Sequence, residues 1–101
     1  MSDVYKSLKD HFKKDSDVVV NEGKGAQGIK YNNKMFVMFY KGDLTLQFSS
    51  DQVQEMINSG LGLPHDPGTG APMKNRVLIP ASKNEHWIKL TEESKKYVMS
   101  L

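Results

Sequence analysis

The run Met35-Phe36-Val37-Met38-Phe39-Tyr40 is the longest apolar stretch in the chain, and turn signals enclose it on both sides. Asn32-Asn33 precedes it and Lys41-Gly42-Asp43 follows. Asparagine tolerates the positive φ of a tight hairpin turn, and glycine adopts it without steric cost. A strand apolar on both faces and bounded by such turns belongs at the covered centre of a sheet, between antiparallel neighbours. Residues 29–31 form the neighbour before it. After it, Leu44, Leu46 and Phe48 alternate with Thr45 and Gln47, a pattern that predicts one buried face and one wet face.

The rest of the chain supplies cover for this meander. Residues 3–14 read as an amphipathic helix, with Val4, Tyr5, Leu8 and Phe12 on one face for core packing. The β-branched run Val18-Val19-Val20 predicts a first strand. Ser49 with Gln52 forms a capping box opening a helix over 50–59, whose apolar face is Val53, Met56 and Ile57 and whose stop is Gly60. Residues 61–71 read as loop, 73–79 as the last strand, and Pro80 closes it. A second capping box, Ser82 to Glu85, opens a final helix with Trp87, Leu90, Ser94, Tyr97, Val98 and Leu101 on one stripe. The order α-β-β-β-β-α-β-α defines an α+β fold: a largely antiparallel sheet of about five strands with three helices on one face. At 101 residues this is a single domain, 1–101.

Composition narrows the function classes. The chain has no cysteine, so neither disulfides nor thiolate metal sites contribute. Its net charge of +2 rests on thirteen lysines and a single arginine, Arg76. Residues 1–48 hold eight cations and six anions and residues 49–101 six of each, so neither half is strongly polarised. No secretory signal opens the chain and no segment is long enough to span a membrane, so a cytoplasmic protein without membrane contact is expected.

Several features imitate functional motifs. Gly23, Gly25 and Gly28 spell G-x-G-x-x-G, but the motif runs into a strand and not into a helix, so no nucleotide or other cofactor is expected there. His11, His65 and His86 have no metal-ligand spacing, and no nucleophile elbow is present, so neither metal nor catalytic residues are assigned. Between residues 24 and 41, Lys24, Lys30, Lys34 and Lys41 interleave with Tyr31, Phe36, Phe39 and Tyr40, a composition also found on platforms for single-stranded nucleic acid. Residues 64–72 concentrate turn chemistry, and Asp66, Gly68 and Gly70 with nearby Lys74 and Arg76 form a candidate binding loop.

With these segments placed, the chain resembles the TfoX/Sxy family N-terminal domain. The resemblance rests on Asn33-Lys34-Met35-Phe36-Val37-Met38, Lys41-Gly42-Asp43-Leu44, Asp66-Pro67-Gly68-Thr69-Gly70 and Met73-Lys74, in that order, and covers roughly residues 20–98. It implies a small α+β fold and a regulatory role, since the namesake activates natural competence together with other transcription factors. The chain reads as that domain alone, without the namesake's C-terminal helical domain. Ala71 stands where the family commonly has arginine, and Asn75-Arg76 replaces an acid-tryptophan pair. The layout is more weakly similar to the MmcQ/YjbR group, which is linked to DNA binding.

Three functions follow as expectations. The first is a non-enzymatic regulatory or protein-interaction module. The second is a nucleic-acid binder using Lys30, Lys34 and Lys41, with Lys74 and Arg76. The third is a small enzyme around His65 and Asp66. The chain is expected to be a monomer, or a homodimer if one face of the strand 35–40 stays uncovered.

Overall fold

The computed structural model describes residues 3–21, 27–40, 42–66, 68 and 70–101. In chain order these form α1 (Asp3–Lys13), β1 (Val19–Asn21), β2 (Gly28–Tyr31), β3 (Lys34–Tyr40), β4 (Asp43–Gln47), α2 (Ser50–Asn58), β5 (Leu63–Pro64), β6 (Arg76–Ile79), a short 3-10 segment (Ala81–His86) and α3 (Trp87–Met99). The strands make one six-stranded antiparallel sheet in the order β1-β2-β3-β4-β6-β5. The meander and the α+β class are as the sequence predicts.

Local chemistry sets the boundaries. Asn32 and Asn33 adopt φ values of 55° and 67°, so both turn residues are left-handed, as a two-residue hairpin between right-twisted strands requires. The Ser49 Oγ accepts the Gln52 N–H at 3.2 Å while the Gln52 side chain accepts the Ser49 N–H at 3.1 Å, completing the capping box of α2. Gly60, at φ 83°, ends that helix, and Leu61 N–H reaches back to Met56 O at 3.0 Å.

Cross-strand partners share a face, which divides the sheet in two. Ile29, Val37, Leu44, Leu46, Val77 and Ile79 lie on the face carrying the helices, packed with Leu8 and Phe12 of α1, Val53 of α2, and Trp87 and Leu90 of α3. Trp87 is 1% exposed, and its indole N–H donates to Ile79 O at 3.2 Å. Tyr5 stacks between Phe39 and Trp87 at centroid distances of 4.4 and 5.2 Å. Its hydroxyl donates to Asp43 O, and burial, then the Asp43 charge, pushes its pKa up to about 12.

Four expectations need correction. The sheet has six strands and not five, because Leu63 and Pro64, inside the expected loop, pair with Leu78 and Val77. The last strand begins at Arg76 and not at Met73, whose N–H instead turns back to His65 O at 2.9 Å. The second capping box does not form. Asp43 accepts the Ala81 N–H at 2.8 Å, residues 81–86 take a 3-10 path, and α3 starts at Trp87 without a side-chain cap. Finally, β4 has no wet face at Thr45, which is fully buried. Among the described residues no helix is long and apolar enough to cross a membrane.

Candidate functional site

The site starts from an irregularity in β3. Ile29 pairs with Val37 but Lys30 pairs with Met35, so Phe36 is an extra residue and β3 carries a bulge. Phe36 and Val37 are consequently both buried despite being consecutive. Opposite the bulge only glycine fits: a Cβ on Gly28 would lie 1.9 Å from Val37 O.

Carbonyls near the bulge are taken up from two strands away. Arg76 opens β6, and its guanidinium crosses β4 on the helix-free face. Nη2 donates to Met35 O at 3.0 Å; Nη1 donates to Thr45 Oγ1 at 3.3 Å and, at the limit of bonding distance, to Phe36 O at 3.5 Å. Thr45 Oγ1 in turn donates to Met38 O at 3.4 Å. This is why Thr45 is dry: the arginine lies over it. Arg76 is only 9% exposed, and burial lowers its pKa. Its partners are neutral oxygens, with no carboxylate among them.

A histidine completes the cover. His65 follows β5 directly, yet its ring meets that of Tyr40 on β3 edge-on at 5.0 Å, so the chain leaving β5 passes over the sheet. His65 is 5% exposed. Burial lowers its pKa, the Arg76 charge adds to that, and Asp66 opposes it. The Asp66 carboxylate accepts the Gly68 N–H at 2.8 Å, shaping the loop, and Gly68 and Gly70 take φ values of 106° and 89°.

The candidate residues named by the sequence fall into separate places. Asp66, Gly68 and Gly70 belong to the same β5–β6 loop as His65, with Arg76 at its end. Lys74 is exposed beside a groove of about 670 Å³ between α2 and residues 71–74. Lys30 lies on the helix-free face, paired with Val19, whereas Lys34 borders a cavity of about 270 Å³ near the end of α3. Lys41, Pro67 and Thr69, with Gly23, Lys24 and Gly25 of the glycine motif, lie outside the described residues. Tyr31, Phe36 and Phe39 turn to the helices while Tyr40 turns away, so these aromatics do not make one stacking platform. His11 bonds Glu92 at 2.8 Å, joining α1 to α3, and His86 lies 3.8 Å from Glu85. Among the described residues no group of three His, Cys, Asp or Glu side chains is placed to hold a metal ion.

Sequence reasoning missed the Arg76–Thr45–bulge network and the His65–Tyr40 contact. The available signal was slight: a lone arginine placed directly before Val77-Leu78-Ile79, in a chain that otherwise uses lysine. The class defined here is a small α+β domain with a one-sided helical layer and a polar cluster on the opposite sheet face. Comparison with known proteins gives no match, whether to a family model, a curated protein or a solved structure.

Proposed function

We propose that this chain is a non-enzymatic regulatory or protein-interaction module of TfoX N-terminal-like type. It acts in the cytoplasm and meets its partner with the helix-free face of the sheet. The ordered motifs shared with that family support the regulatory role. One observation supports the location: Val19 and Leu63, 65% and 51% exposed, flank half-buried Met38, Tyr40 and Leu78 on a face where no helix packs. Apolar side chains set around a few fixed polar groups suit a protein interface, and the same face is where a homodimer would form. The nucleic-acid alternative keeps Lys30 on this face but lacks a row of aromatics to stack bases.

Photo-crosslinking in cells tests the reading, with a benzophenone side chain placed at Val19, at Leu63, or at exposed Glu93 on α3. One polypeptide, identified by mass spectrometry, should join to the first two positions and not to the third. Equal adducts from Glu93, or none from either sheet position, would reject it. DNA-dependent amide shifts around Lys30 and Lys34 that weaken with salt would favour the nucleic-acid alternative.

A further inference from the structure

A guanidinium has five N–H bonds, and Arg76 commits three of them, two from Nη1 and one from Nη2, to oxygens of the sheet. Nε makes no hydrogen bond to any described residue. Among the described residues no enclosed side-chain nitrogen or oxygen lacks a partner, so Nε reaches solvent. Among the described residues this leaves Nε–H and one Nη2 hydrogen without an acceptor, and Nε with Nη2 is the side of a guanidinium that can grip a carboxylate side-on through two parallel bonds. Nε is therefore within the small exposed fraction of this residue.

The surroundings narrow the class of ligand. Burial and the arginine together favour the neutral form of His65, and Lys30 lies across the sheet. Asp66 lies close by in the loop. One guanidinium edge in such company suits a monoanion better than a phosphate dianion, which wants several cations. Met38 and Leu78, on the same face, would flank the arriving group with apolar surface. A guanidinium that is mostly buried and has only neutral partners gains most from a carboxylate that arrives with its own apolar cover.

We infer that the exposed edge of Arg76 anchors a carboxylate side chain of a partner protein, presented between apolar residues that pack on Met38 and Leu78. The inference rests on the helix-free face being the interface.

Arg76 is the only arginine, so its Nε–H gives a single, unambiguous NMR resonance. Two probes suffice: the capped tripeptides acetyl-Leu-Glu-Val-amide and acetyl-Leu-Gln-Val-amide. The Glu peptide should move the Nε–H resonance saturably, together with amides of Met38, Thr45 and Leu78, and the Gln peptide should bind roughly tenfold more weakly. In Arg76→Lys, once its amide spectrum confirms the fold, that preference should largely vanish. Equal binding of both peptides with Nε–H unmoved would overturn the carboxylate anchor while leaving the interface in place. No shift with either peptide would also overturn the anchor, and cross-linking would then judge the interface alone. An Nε–H shift on diluting the chain by itself would assign the face to a second copy.

Discussion

The two faces of this sheet are closed by different physics. On the helical face, Leu8, Phe12, Trp87 and Leu90 interlock with Ile29, Val37, Leu44, Leu46, Val77 and Ile79, and burial of apolar area is the stabilising term. On the other face no helix of the described residues packs. Closure there depends on one arginine reaching over β4 and on a histidine set edge-on against Tyr40. The first face tolerates any shape that fills it. The second needs particular donors aimed at particular oxygens, so it is fixed by fewer groups and leaves apolar edges such as Val19 and Leu63 open. The contrast predicts that stability resides mainly on one side and recognition on the other.

The largest effect should come from the helical face. Trp87→Ala removes a side chain that is 1% exposed, its bond to Ile79 O and its stack with Tyr5, and should destabilise the fold by about 3–5 kcal/mol. Urea unfolding gives the number directly. A loss below about 1.5 kcal/mol, within the range of tolerated apolar exchanges, would break the division of labour between the faces.

How far each face could be read from the chain follows from the same difference. Apolar period is a property of neighbours in sequence, so the stripes of α1, α2 and α3 and the alternation of β4 mark the helical face in the sequence alone. Turn chemistry was equally local: Asn32-Asn33, Ser49 with Gln52, and Gly60 perform their expected tasks. Thr45 was misread because a polar residue on an alternating strand signals solvent unless something distant covers it. Its cover is Arg76, thirty-one residues further on. The two-residue β5 was hidden for a related reason: Leu63-Pro64 has no period of its own and is a strand only through pairing with β6. Of the candidate site, the turn chemistry of Asp66, Gly68 and Gly70 is local and legible, with Arg76 expected near the loop; the structure puts Arg76 at the start of β6. That Arg76 is buried, and that His65 is drawn over the sheet, depend on pairing order and on the bulge at Phe36, which no local pattern announces.

The second effect probes the polar side. Arg76→Ala takes away long-range cover over Thr45 and the bonds to Met35 O and Phe36 O, groups that a buried site cannot hand back to water without rearrangement. The expected loss is about 2–4 kcal/mol in urea unfolding. Arg76→Lys should lie between wild type and the alanine variant, since an ammonium cannot span three acceptors with a planar fork. Unchanged stability in Arg76→Ala would mean that the arginine rests on the sheet without bracing it, and its role would then be recognition alone.

The smallest effect concerns pH and belongs entirely to His65. Burial and the nearby Arg76 charge hold this imidazole neutral below its ordinary value of 6.5. The unfolded chain protonates its histidine near that value while the folded chain does not, so over this interval the unfolded state binds more protons. The histidine's contribution to stability is therefore whole above pH 6.5 and is lost as pH falls through the depressed folded value. His65→Phe keeps a ring against Tyr40 and removes the titration. Across roughly pH 7.5 to 5, the wild type should lose stability relative to this variant as the pH drops, a window above the range in which carboxylates such as Asp15 protonate. Parallel curves for the two proteins would show that the imidazole is free to charge where it sits, and the helix-free face would then be wetter than its packing implies.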